Sequence, residues 1–328
     1  MKKFFKVVGM IAGIVVLLII GFLIYFNSVF PKAEKVKDIK VAITPARIAR
    51  GEYLANNVVA CMHCHSERDW TKYAGPTIQG TYGKGGQKFD EKEDADIPGV
   101  VYAKNITPSG IGDWTDGELI RAITTGVSKD GTALFPLMPY MDFNHLSKED
   151  LYSIVAYIRS LKPIENKVPD RHLNFPMNFI VKTLPLHTYN PAPQPDTSNA
   201  LSYGKYLVTI AGCGGCHTQM VKGEPVKGME FAGNMAFNLP WGTVRSANIT
   251  PDNETGMGKW SENQFISFFK TFDTDNAKNI SVRPHEFNTI MPITSFAGMT
   301  KTDLGAIYTY LRSVKPVHNK VIKFTPIE

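Results

Sequence analysis

The stretch Cys61-Met62-His63-Cys64-His65 returns as Cys213-Gly214-Gly215-Cys216-His217, and these two pentapeptides hold all four cysteines of a 328-residue chain. Working outward from them, the surroundings recur as well. Gly51-Glu52-Tyr53-Leu54 precedes the first and Gly204-Lys205-Tyr206-Leu207 the second. Asn105-Ile106-Thr107-Pro108 returns as Asn248-Ile249-Thr250-Pro251, each followed by a glycine-containing turn and a tryptophan, Trp114 and Trp260. Met138-Pro139 returns as Met291-Pro292, and LSKEDLYSIVAYIRSLKP (146–163) as MTKTDLGAIYTYLRSVKP (299–316). Self-similarity of this kind marks a duplicated unit, here 47–166 and 199–328. Seven prolines from Pro163 to Pro195 make 167–198 an extended connector.

Each copy reads as helical. Thr115-x-x-Glu118 and Ser261-x-x-Gln264 are capping-box signatures. Leu151, Ile154, Val155 and Ile158 form one apolar helix face, repeated by Leu304, Ile307, Tyr308 and Leu311. Lys162-Pro163 and Lys315-Pro316 stop these helices. No run of alternating strands stands out, so each copy is expected to be a small, mostly α domain with long loops.

The pentapeptides admit several chemistries. Zinc takes four ligands, and two CxxC pairs supply that number, but these pairs lie far apart in copies that each repeat the whole layout. A thioredoxin-like pair calls for a βαβ context that is missing. A disulfide across two residues leaves the histidine unexplained. Covalent haem attachment uses every atom: the thiols add to the vinyl groups and the following histidine binds the iron. Cys61, Cys64 and His65 would hold one haem c, and Cys213, Cys216 and His217 a second. A methionine as sixth ligand saturates the iron and raises its potential, which suits electron transfer. Of twelve methionines, Met138 and Met291 recur at the same place, thirteen residues ahead of the last helix's first leucine. Met141 aligns with Thr294, and Met299 with Leu146 at an apolar position.

The N-terminus supplies a location. Val7 to Phe26 is an unbroken apolar run of twenty residues, long enough to span a bilayer as a helix. Lys2, Lys3 and Lys6 precede it, which keeps that end cytoplasmic, and no small-x-small cleavage site follows. The expected layout is an anchor at 1–30, a tether at 31–46 and both copies on the periplasmic, outer face of a bacterial inner membrane. The formal charge of +6 includes those three lysines, and no Lys/Arg stripe interleaved with aromatics is present, which excludes a nucleic-acid-binding balance.

With these motifs, CMHCH and CGGCH, Asn-Ile-Thr-Pro at 105 and 248, the Trp-Thr and Trp-Ser pairs at 114 and 260, and Met-Pro-Tyr at 138–140, the chain resembles a membrane-anchored di-haem cytochrome c. It is similar to the cytochrome subunits of bacterial membrane-bound alcohol and aldehyde dehydrogenases. The resemblance implies an N-terminal transmembrane helix and two tandem class I cytochrome c-like domains. It also implies docking to redox partners: a dehydrogenase, a quinol-oxidising complex or a terminal oxidase. Two departures stand out: those subunits carry three haem domains, and the second copy has Met-Pro-Ile (291–293). The alternative is a di-haem enzyme, a peroxidase or small-molecule dehydrogenase with an opening haem position; the paired Met-Pro motifs weigh against it.

The resemblance further implies that the Pro76 carbonyl accepts from the Nδ1 of His65. Asn105, Trp114, Asn248 and Trp260 either bond haem propionates or shape turns and core. His63 is expected to be exposed, and the unaligned His145 and His285 to be surface residues rather than ligands. The acidic run 90–96, peculiar to the first copy, is expected to be a solvated loop.

Overall fold

The computed structural model describes residues 1–90, 97–221 and 223–327. The acidic run therefore falls outside the described residues except for Asp90, a buried strand residue paired with Lys88 at 2.5 Å.

Helix α1 (Lys2–Val29) is apolar along its length and buries no residue. It is long and apolar enough to cross a membrane. The part of the chain that follows contains α2 (Pro45–Tyr53), continued by a π-helical turn over Leu54–Val58, then α3 (Cys61–Cys64), α4 (Pro108–Ile111), α5 (Asp116–Thr125), α6 (Tyr140–Phe143) and α7 (Lys148–Ser160). The connector carries α8 (Met177–Ile180). Beyond it come α9 (Ala200–Ile210), α10 (Cys213–His217), α11 (Glu262–Lys270), α12 (Asp275–Lys278), α13 (Ile293–Phe296) and α14 (Lys301–Ser313).

Two helix pairs organise the core: α2 lies across α7, and α9 across α14. The glycine of each Gly-x-Tyr-Leu stretch sits at the crossing. A Cβ on Gly51 would lie 1.8 Å from the Ser153 carbonyl oxygen, and one on Gly204 1.9 Å from that of Ala306. Only glycine lets the backbones approach that closely. Both capping boxes form, Thr115 with Glu118 and Ser261 with Gln264.

Among the described residues, strands are present where none stood out in the sequence, in three small antiparallel sheets. β1 (Lys88–Asp90), β2 (Gly99–Tyr102) and β3 (His172–Leu173) form one, β4 (Met220–Val221) and β5 (Glu224–Pro225) a second, and β6 (Ala236–Leu239), β7 (Gly242–Arg245) and β8 (Phe324–Pro326) a third. At two to four residues they are too short for a period-2 pattern to register.

The two copies share one continuous core. Leu54, Leu151 and Ile154 belong to the same cluster as Leu207, Leu304 and Ile307. Their helix pairs are cross-linked by tyrosines in a reciprocal way. The Tyr206 hydroxyl donates to Asp150 Oδ2 at 2.6 Å and accepts from the Ser147 amide at 3.2 Å, at the start of α7. The Tyr53 hydroxyl donates to Asp303 Oδ2 and accepts from the Thr300 amide at 3.0 Å, at the start of α14. Each aspartate also takes a bond from its own copy, Asp150 from Arg50 at 2.9 Å and Asp303 from Tyr203 at 3.0 Å. A second seam runs through Asn288, whose buried side chain accepts from the Ala74 amide at 2.8 Å. Trp70 and Trp241 pack there with ring centroids 5.4 Å apart.

Candidate functional site: two thiol–imidazole loops

Each CxxCH stretch is wound into a single helical turn entered through a left-handed residue, Ala60 (φ 50°) before α3 and Gly212 (φ 66°) before α10. This turn carries both thiols and the following histidine in one loop. None of the four cysteines forms a disulfide. Burial, with the neighbouring cysteine adding to it, pushes the Cys61 and Cys213 thiols up to about 12. Burial disfavours the thiolate form of these two side chains while nothing is bound to them. Among the described residues, no group of three or more His, Cys, Asp or Glu side chains converges as a metal cluster would.

The two histidines are held alike. His65 Nδ1 bonds the Lys104 carbonyl at 2.7 Å, and His217 Nδ1 bonds the Ala247 carbonyl at 2.7 Å. Donation from Nδ1 fixes the tautomer and leaves the Nε2 lone pair for a metal. Burial lowers the pKa of both imidazoles, against the opposing pull of those carbonyls, and so favours the neutral, ligating form. The expected acceptor, Pro76, is not used: its carbonyl accepts from the Asp69 amide instead. Lys104 and Ala247 were missed because a backbone carbonyl leaves no side-chain signature. Their position was nonetheless marked, since each immediately precedes Asn-Ile-Thr-Pro.

The asparagines of that motif explain why these carbonyls are fixed. Asn105 Oδ1 accepts from the amide and hydroxyl of Thr107 at 2.9 and 2.7 Å, while its Nδ2 donates to the Ile164 carbonyl at 2.8 Å. Asn248 repeats this with Thr250 at 2.9 and 2.7 Å and with Val317 at 2.8 Å. Of the two roles open to them, the asparagines take the turn-shaping one and tie the loop to the chain leaving the last helix. Trp114 packs against the core, and Trp260 is partly exposed.

Met138 and Met291 lie half-buried against the core, each just ahead of a proline that starts a short helix. Pro139 (φ −79°, ψ 55°) and Pro292 (φ −74°, ψ 53°) share one backbone conformation. Met141 is 45% exposed, and Met299 is fully buried. His145 and His285 are exposed.

The segment after each Met-Pro abuts the other copy's loop. A Cβ on Gly212 would lie 3.2 Å from Asp142 Oδ2, and one on Gly298 2.0 Å from Asn57 Oδ1. The Asp142 carboxyl is lifted by burial to about 6. His63, expected to be exposed, is buried. Its ring approaches the Ile290 carbonyl, next to Met291, and neither ring nitrogen completes a hydrogen bond. The Tyr140 hydroxyl is likewise buried and unbonded.

These residues fit a covalently bound haem. Two neighbouring thiols without a disulfide can add to vinyl groups, a neutral imidazole is oriented by a carbonyl, and a thioether stands on a proline-held segment. Orphaned polar atoms are found on His63, inside the first CxxCH turn, and on Tyr140, two residues after Met138.

No family model matches the chain. It is similar to the fructose dehydrogenase cytochrome subunit of Gluconobacter japonicus, 32% identical over 282 residues, which is 81% of this chain and 52% of that protein. It is similar to the cytochrome c subunit of alcohol dehydrogenase (quinone) from Gluconacetobacter polyoxogenes, 28% identical over 291 residues, 83% of this chain and 57% of that subunit. A diheme cytochrome c-type protein of Cereibacter sphaeroides is 28% identical over 166 residues, 48% of this chain and 53% of that protein. The chain spans little more than half the length of these curated relatives. Its homologues are thus cytochrome c subunits of dehydrogenases and a diheme cytochrome c, as the resemblance implied.

Proposed function

We propose that the chain is a membrane-tethered di-haem cytochrome c of two tandem class I-type domains. It carries electrons between redox partners at the outer face of the cytoplasmic membrane, with a dehydrogenase as donor. The observation that carries this reading is the matched pair of His Nδ1–carbonyl bonds, both 2.7 Å, each on a histidine directly after two reduced thiols. Haem c, when bound, supplies a one-electron couple to each domain. The chain's own residues do the rest. Cys61 and Cys64, with Cys213 and Cys216, fix each group covalently. His65 and His217 are oriented by Lys104 and Ala247. Met138 and Met291 are the sixth ligands, and their saturation of the iron favours electron transfer over bond chemistry. The dehydrogenase donor is supported by the names of the relatives. Helix α1, bare and apolar, supports the tether.

The test is the ferric spectrum of the purified full chain, with and without cyanide. The reading expects six-coordinate, low-spin iron at both sites and slow cyanide uptake. High-spin iron that binds cyanide quickly at either site would favour the peroxidase-like alternative. Copurification from native membranes then names the donor.

A further inference from the structure

We propose that the connector segment 175–180 lies in the bilayer interface beside α1, as a second membrane contact that rests the first domain on the lipid surface. This deepens the tether reading and depends on it.

The segment turns its apolar side outward. Phe175 is 80% exposed and Ile180 42%, while the flanking Leu173 and Val181 are buried. It is fixed to the first domain on both sides: Leu173 pairs with Gly99 in the β2–β3 ladder, and the Leu186 amide donates to the Thr125 carbonyl at 3.0 Å. Exposed aromatic side chains on a firmly held loop are costly in water unless something covers them.

The neighbour identifies the cover. Phe179 packs its ring 6.1 Å from that of Phe26 and 6.2 Å from that of Phe175. Lys182 Nζ donates to Asn27 Oδ1 at 2.5 Å. The apolar run ends at Phe26, and its twenty residues at about 1.5 Å each span about 30 Å, the thickness of the hydrocarbon core. Phe26 therefore stands where hydrocarbon gives way to headgroups. Phe179 and Phe175 stand at that same level, where apolar side chains of an interfacial segment sink to the boundary of headgroups and acyl chains. Lys182, bonded to Asn27, and the exposed Lys32, six residues beyond Phe26, bring positive charge to the headgroup side of this level. The outward face is thus continuous with the bare surface of α1. Lipid covers both.

The test uses the full-length chain reconstituted into vesicles of phosphatidylcholine and phosphatidylglycerol. A nitroxide is attached at Phe175→Cys, the native cysteines being taken up in thioethers. The collision accessibility of the label to oxygen and to a polar nickel chelate is measured on the chain as purified, each against the same sample without the reagent. Labels at Ile14→Cys and Lys259→Cys mark lipid and water. The label at 175 is expected to meet oxygen readily and to be shielded from nickel, close to the label at 14. If it meets nickel as freely as the label at 259 while the label at 14 is in lipid, the inference fails and the tether stands. Shielding of 175 from both reagents would mean a protein cover and would also overturn it. A label at 14 in water would overturn the tether reading and this inference together.

Discussion

The loop around CMHCH and the loop around CGGCH share their backbone and differ in what faces them. In the first, a buried neutral imidazole, His63, lies within the loop against the Ile290 carbonyl. In the second, the matching position is Gly215, and the facing group is the carboxyl of Asp142. Tyr140 after the first Met-Pro becomes Ile293 after the second. What is held constant is what builds the site: glycine at the helix crossings, asparagine pinning the loop, a carbonyl orienting the histidine. What varies is charge and polarity beside it. If each loop holds a haem c, as proposed, the two centres sit in different fields. Their reduction potentials should then differ, with the site beside the carboxylate lower.

The strongest way to break the pairing is to remove one set of thiols. Cys213→Ala with Cys216→Ala should leave one covalent haem per chain instead of two, read by pyridine haemochrome against protein concentration. Release of the haem from the unaltered chain by acid–acetone would defeat covalent attachment altogether.

Next in size are the helix crossings, where the copies should respond alike. Gly51→Ala and Gly204→Ala each force a methyl group against a backbone oxygen that cannot turn aside. Each should cost about 3 kcal/mol or more in denaturant unfolding. A loss under about 1 kcal/mol at either position would mean the crossing relaxes freely there.

Asp142 should separate the copies. Burial lifts its folded-state pKa from 3.8 to about 6. Its ionisation is disfavoured in the fold, so the stability present below pH 4 is lost as pH rises through about 6. Asp142→Asn should therefore stabilise the chain by about 1–3 kcal/mol at pH 8 and change little at pH 4. The ionised carboxylate also favours ferric iron, so the potential of the second haem should fall as pH rises through that range. Asp142→Asn should flatten that slope and leave the first haem unchanged. An equal response of both haems would contradict the placement of this charge.

The smallest effect tests the reciprocal tyrosines. Tyr53→Phe and Tyr206→Phe each delete a hydroxyl that bonds an aspartate and a backbone amide of the other sequence copy. Losses of about 1–3 kcal/mol, similar for the two, are expected from equilibrium unfolding.

Much of this was legible in the sequence because it rests on side chains that act locally. Thr115 with Glu118 and Ser261 with Gln264 declare helix starts, and both boxes form. The glycine ahead of each Tyr-Leu was visible as part of the repeat, but its reason, a backbone oxygen of the crossing helix, lies about a hundred residues away in sequence. What escaped depends on partners distant along the chain. His63 is buried because the segment at Ile290 covers it, and nothing near residue 63 says so. The Lys104 and Ala247 carbonyls carry no residue signal, and only the recurrence of the motif after them betrays their place. Asp150 and Asp303 sit at the third position of their helices, which reads as capping, yet their carboxylates serve tyrosines of the opposite copy. The strands were too brief to show a period.

Electron transfer of the kind proposed requires two saturated Met–His centres. The most direct test is the methionine-to-iron charge-transfer band of the ferric chain, measured per haem in the unaltered protein, in Met138→Ala and in Met291→Ala, with Met141→Ala as control. The account predicts full intensity in the unaltered chain and in Met141→Ala, and half in each of the other two. In each of those, only the affected centre should shift to lower potential. Loss of the first centre's band in Met141→Ala but not in Met138→Ala, or unchanged coordination in both Met138→Ala and Met291→Ala, would contradict it.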